Sequence, residues 1–200
     1  LYLENNHITD QGAIEIASSE TFKNLQVLNL YRNKITDKGA KAIAESDTLS
    51  RLTEINLNFN EVGDEGTKSL TTSASLKQLK KIGLEYNRLN QAGTESLKKF
   101  NIFQSINELK NSKRINEIGS LIHGDLGVMV LKEFSGFSEL DNLDLSDSNL
   151  TDRSAIAIAN TAWLKGLISL NLSSNRITDL GAKALAASKN LSQLKKLNLN

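Results

Sequence analysis

Short alternating stretches and helical stretches take turns along this chain. Apolar residues two apart, as in "LNLYRN" from Leu28 and "INLNFN" from Ile55, read as short strands, because successive strand side chains point to opposite faces. Each is followed by a stretch such as "TDKGAKAIAES" from Thr36, with apolar residues at helical intervals. Ile14, Ile16 and Ala17, or Ile43 and Ala44, make one apolar face. Thr36-Asp37 and Thr178-Asp179 read as helix starts, where a side-chain oxygen accepts a free N–H and a carboxylate favours the positive end of the dipole. Gly12, Gly39, Gly66, Gly93, Gly127 and Gly181 recur in the first helical turn. Glycine there costs about 1 kcal/mol against alanine, so its recurrence implies a neighbour too close for a side chain. Pairs such as Phe22/Leu25, Leu49/Leu52 and Leu191/Leu194 lead from each helix back to the next strand.

The pattern has a period. The strand phrase begins at Leu1, Leu28, Ile55 and Ile82, and again at Leu143, Leu170 and Leu197, always 27 residues apart. A worn copy, "NEIGSLIHGDLGVMVL", begins at Asn116; Ile118 matches the second strand leucine, and Asp125 and Gly127 match the Asp and Gly of "TDxG". The step from Ile82 to Asn116 is 34, seven residues too long, and places an insertion within about 100–115. Phe100, Phe103, Ile106 and Leu109 continue at three-residue steps, and seven residues are nearly two helical turns. A long helix over 91–111 is the preferred reading, and an insertion loop over 107–114, "NELKNSKR", the alternative. Either exposes a basic tip at Lys110, Lys113 and Arg114.

One strand and one helix cannot bury an apolar face alone, whereas stacked copies can. The expected fold is therefore an α/β solenoid filling residues 1–200 as one domain. Its parallel strands would line a concave face and its wider helices a convex one, in a curved horseshoe. Asn6, Asn33, Asn60, Asn87 and Asn175 recur where strand turns toward helix. An inward amide offers a donor and an acceptor to backbone groups that the turn leaves unpaired, so these five form a structural asparagine ladder. Ser148 holds the same slot weakly; Leu121 cannot fill it, so the fifth copy should be irregular. Leu1 and Asn200 fall in strand phrases with no polar cap, which predicts flanking sequence or end-to-end contact between copies.

Composition removes function classes. A net charge of +1 gives no long-range attraction to nucleic acid or an acidic membrane. The chain has no cysteine, hence no disulfide, thiolate metal site or cysteine nucleophile. It also has no proline, where average usage of about 5% would give about ten. His7 sits in a surface-loop slot and His123 in the slot of Ile35, Val62, Leu89 and Ile177, which predicts a partly buried His123. Neither has a partner at metal or triad spacing, and no phosphate loop is present. No catalytic residue, metal or cofactor is expected, and the chain is not read as an enzyme.

A binding surface is more legible. The outward strand positions carry Tyr2, Tyr31, Arg32, Phe59, Glu85 and Tyr86 in the first four copies, an aromatic and arginine composition typical of interface hot spots. The alternative is that Phe59 and Tyr86 fold over the rim onto loop leucines. The later copies offer small and acidic residues, Asp144 and Asp147 among them. Trp163 lies on a helix-to-strand return.

"LNLYRNKITDKGAKAIA" and "LNLSSNRITDLGAKALA" resemble leucine-rich repeats of the ribonuclease-inhibitor-like class, over essentially the whole chain and loosely over 100–142. The "GAKALA" wording is similar to the GALA-type repeats of bacterial effectors, though no F-box is visible. The repeat grammar is also similar to that of the Ran GTPase-activating protein and of intracellular immune receptors. The resemblance implies a non-catalytic scaffold that binds another protein on its concave face, as an effector or adaptor fragment in the cytosol (the host's, for a secreted effector). It also leaves a small-GTPase regulator as the alternative.

Overall fold

The computed structural model describes residues 1–134 and 140–200. The chain divides into two compact units, Leu1–Asn101 and Ile102–Asn200. In the first unit, helix α1 (Asp10–Ser18) leads to strand β1 (Val27–Asn29), α2 (Asp37–Ala44), β2 (Glu54–Asn56), α3 (Asp64–Thr71) and β3 (Lys81–Gly83). Helix α4 (Gln91–Asn111) then begins. The three strands pair in parallel, with Leu28, Ile55 and Ile82 in one row. That row reproduces the 27-residue period as strand register, because each copy adds one strand to the same edge. The second unit holds a 3-10 helix (Ile115–Leu121), α5 (Gly124–Glu133), β4 (Asn142–Asp144), α6 (Asp152–Ala159), β5 (Ser169–Asn171), α7 (Asp179–Ala186) and β6 (Lys196–Asn198). There Leu143, Leu170 and Leu197 form the row.

The inward strand leucines and the helix faces close one core per unit. Leu28, Leu30, Ile35, Ile43, Ile55, Leu57 and Val62 are fully buried in the first, and Ile118, Leu145, Leu150, Leu167 and Leu172 nearly so in the second. Each unit is an α/β stack of solenoid repeats in which no copy has a core of its own.

The seven extra residues extend a helix. α4 has 21 residues where its neighbours in the chain, α3 and α5, have eight and ten. Ile106, about one turn into the second unit, is buried, and Phe103 packs at a tilt against Phe134 with ring centroids 4.5 Å apart. The basic tip is smaller than its sequence suggested, because Arg114 donates from Nε to Glu117 at 2.8 Å and forms a second bond from its other nitrogen. The fifth copy has no strand. Its strand phrase is a 3-10 helix packed beside β4, and a Cβ on Gly119 would stand 2.0 Å from the Asp144 carbonyl oxygen.

His123 differs from expectation. It is exposed at the start of α5, and Ile122 is buried in its place. Gly124, at φ +66°, turns the chain so that the inward side chain comes one residue earlier. Trp163 is half-buried against the second core, within a short 3-10 helix over Ala162–Gly166.

Candidate functional site

Three ladders tie each copy to the next, two after the strands and one at the helix ends, and they decide which side chains are left free. The asparagines form the first. Asn60 accepts the Ile35 N–H on Oδ1 at 3.0 Å and donates from Nδ2 to the carbonyls of Leu30 (2.9 Å) and Leu57 (3.0 Å). Asn33 does the same for Ile8, Leu3 and Leu30, Asn87 accepts from Val62 and donates to Leu57, and Asn175 accepts from Leu150 and donates to Leu145 and Leu172. Asn6 is exposed and reaches only Leu3 and Glu4 of its own copy.

The second ladder corrects the role of the repeated aspartates. They reach the next copy's helix start rather than only their own. Asp10 accepts the Thr36 N–H (2.8 Å), the Thr36 hydroxyl (2.7 Å) and the Gly39 N–H (2.9 Å). Asp37 accepts from Gly63 and Gly66, Asp64 from Asn90 and Gly93, and Asp152 from Thr178 and Gly181. The carboxylate is the close neighbour that the recurring glycines implied. A Cβ on Gly39, Gly66, Gly93 or Gly181 would stand 2.4–2.6 Å from an aspartate oxygen. Ser154 holds the glycine slot in α6 and instead donates its hydroxyl to Asp125 at 2.5 Å.

Burial raises the Asp125 pKa, but hydrogen bonds from Ser154 and Thr151 outweigh it and hold the carboxyl below its usual range. The Thr178 hydroxyl and N–H do the same for Asp152. A carboxylate with a depressed folded pKa contributes stability above the unfolded value of about 3.9, lost as pH falls through the folded value. The second unit should therefore weaken below about pH 4. Comparing urea midpoints at neutral and acid pH checks this, and Asp152→Asn should shrink the difference.

Serines form the third ladder. Ser73 donates to the Ala44 carbonyl at 2.5 Å and Ser188 to that of Ala159 at 2.6 Å, while Ser46 bonds to Ala17. The signal was present in the sequence as the 27-residue step between Ser46 and Ser73.

With these groups occupied, the outward residues of the first unit stand apart. Tyr31 and Phe59 meet edge to face with centroids 5.2 Å apart, and Phe59 stacks on Tyr86 at 4.2 Å and 20°. The rings form one strip over three successive copies. Phe59 is 39% and Tyr86 73% exposed, so neither folds over the rim onto loop leucines. Tyr2 is 68% exposed and makes no ring contact with the strip. Arg32 and Glu85 are exposed beside it. Among the described residues neither has an ion pair, whereas Glu61 pairs with Arg88 at 2.7 Å and Glu54 with Lys81 at 3.8 Å. In the second unit the Ser146 N–H and hydroxyl occupy the Asp144 carboxylate and hold its pKa low.

The backbone under the strip was not legible in the sequence. Arg32, Phe59 and Tyr86 share one slot and all have left-handed φ, between 53° and 57°. The slot is left-handed in other copies too, at Asn5, Asp147 and Ser174. A side chain there costs about 1–2 kcal/mol, least for asparagine. Phe59→Asn with Tyr86→Asn should therefore leave stability within about 1 kcal/mol of wild type, relieved strain offsetting about 0.5–1.5 kcal/mol per lost ring pair. Urea unfolding of the double variant checks it.

Among the described residues no cluster of three His, Cys, Asp or Glu could hold a metal, and no helix is long and apolar enough to cross a membrane. A leucine-rich repeat family model matches residues 1–17, 23–44, 50–70, 140–159 and 167–186, half of the chain. The chain belongs to the leucine-rich repeat family. The unmatched stretch 71–139 includes the long helix α4 and the worn fifth copy. A comparison with curated proteins gives no match. Among solved structures the leucine-rich repeats are similar to an internalin from Listeria monocytogenes, at 16% identity and a TM-score of 0.28 over 90% of this chain. The chain spans about half that structure's length, 49%.

Proposed function

We propose that this leucine-rich repeat chain is a non-catalytic scaffold that holds another protein on its strand-side surface. Tyr31, Arg32, Phe59, Glu85 and Tyr86 make the contact and Tyr2 flanks it. The observation that carries this is the ring strip, stacked over three copies and presented to solvent from a backbone conformation that aromatic residues disfavour. Large, rigid, exposed rings beside unpaired charges are the composition of a hot spot. The reading takes residues 1–200 as one repeat domain. A full α-helix in most copies, with the 27-residue step, supports the ribonuclease-inhibitor-like class. The "GAKALA" wording supports an effector or adaptor fragment, and the lack of cysteine agrees with a cytosolic setting.

Panning a random peptide library against the chain tests the surface. Peptides selected on wild type should bind the Phe59→Asn, Tyr86→Asn variant roughly tenfold more weakly or worse. Equal binding to both would remove the strip as the contact surface. Stimulated nucleotide turnover by a small GTPase would favour the regulator reading instead.

A further inference from the structure

The ring strip has a direction, and a charge stands toward each end of it. Its rings belong to three successive copies, so it runs across the strands, along the line on which copies are added. Two backbone bonds fix what flanks its centre. The Arg32 N–H donates to the Asn58 carbonyl at 2.9 Å, and the Phe59 N–H to the Glu85 carbonyl at 2.9 Å. Arg32, Phe59 and Glu85 therefore stand in consecutive copies. The second, fourth and fifth positions of each strand phrase reach this surface, and in these three copies only Arg32 and Glu85 are charged there. Both are exposed, and neither has an ion pair among the described residues. In the copy before them, Glu4 is occupied by the Asn29 amide at 2.8 Å. A free cation and a free anion thus sit two copies apart, about 9.6 Å at one strand spacing per copy, with Phe59 between them.

That spacing discriminates among the backbones that could lie along the strip. An extended segment returns to the same face only every ~6.6 Å, so its third contact overshoots Glu85 by more than 3 Å, roughly. A polyproline segment returns after about 9.3 Å, which reaches both charges and sets nothing against the ring. An α-helix turns once in about 5.4 Å, close to one turn per copy, and residues i and i+7 are about 10.5 Å apart. We propose that Arg32, Phe59 and Glu85, with Tyr31 and Tyr86 beside them, seat an amphipathic α-helix of the partner protein along the strip, a proposal that rests on the scaffold reading above. An acidic residue at i meets Arg32, apolar residues at i+3 and i+4 meet the rings, and a basic residue at i+7 meets Glu85. The N-terminal turn of the guest lies over Arg32, because an acidic residue is favoured at that end of a helix.

Panning the chain against two libraries tests this. One is a three-helix-bundle scaffold randomised at i, i+3, i+4 and i+7 of one exposed helix, and the other is unstructured peptides. Strip-dependent clones are those lost on the Phe59→Asn, Tyr86→Asn variant. They are expected from the helix library, with Asp or Glu at i and Lys or Arg at i+7. Arg32→Glu should weaken these clones roughly fivefold or more, and exchanging their acid at i for lysine should restore binding. The variant is expected to fold, since Arg32 is exposed and Asp147 holds the same left-handed slot in a later copy, and its circular dichroism reports this. Strip-dependent clones without the charge pattern, or a loss on Arg32→Glu that lysine does not restore, would overturn the helix. Strip-dependent clones from the unstructured library alone would also overturn it and would leave the scaffold surface standing. The absence of strip-dependent clones from both libraries would sink the surface itself.

Discussion

Replacing Asn60 by alanine is expected to destabilise the first unit by about 3–4 kcal/mol. The amide is only 7% exposed. It satisfies the Ile35 N–H and the carbonyls of Leu30 and Leu57. Removing it leaves these groups in a place that the neighbouring copies close to water. Each orphaned buried group costs about 1–3 kcal/mol, and the carbonyls lose less because they keep other partners or a second lone pair. Asn6→Ala is the internal control: its amide is exposed and bridges no neighbouring copy, so its loss should cost under about 1 kcal/mol. Urea unfolding of the two variants measures the contrast. Equal, small losses would remove the ladder as a source of stability.

Gly66→Ala carries the second large effect. On propensity alone alanine should stabilise α3 by about 1 kcal/mol. The packing reverses the sign. The new Cβ would lie 2.6 Å from Asp37 Oδ1, 2.8 Å from Val62 Cγ1 and 2.9 Å from the Asp37 Cα. The last is backbone and cannot rotate away. Either α2 and α3 separate or Asp37 withdraws and gives up its bonds to Gly63 and Gly66, at 2.6 and 2.9 Å. Overpacking of this kind costs about 1–3 kcal/mol, and lost charge-assisted bonds add about 1.5–3 kcal/mol. A net loss of about 3 kcal/mol is expected, seen as a drop in thermal midpoint of roughly 14 °C for a unit of this size. A stabilised variant would mean that the helices are free to move apart.

Much of the site was legible in part. Alternation places Tyr31 outward with Asn29, but it would turn Phe59 and Tyr86 inward after Leu57 and Leu84; both are exposed from a left-handed backbone instead. The edge-to-face contact of Tyr31 with Phe59 was not legible, since those two occupy different slots of their repeats. They meet because the left-handed turn at Phe59 swings its side chain back along the row. The aspartates were seen as helix starts, but a linear reading assigns a polar residue to its nearest helix and cannot see the adjacent copy. His123 was misplaced for a similar reason. One positive-φ glycine shifts the inward position by one residue, which no count of slots reveals.

The sequence by itself determined the period, the strand–helix alternation and the identity of the core residues in the regular copies. These follow from local spacing, because a 27-residue step repeated in register leaves each strand only one place to pair. Only the tertiary structure decided which carboxylate caps which helix, why each glycine must be bare, and that the fifth copy forms a 3-10 helix in place of a strand. It also decided that the rings join into a strip. Those outcomes depend on contacts between residues about 25 to 30 positions apart, where the packed neighbour, not the local propensity, sets the geometry.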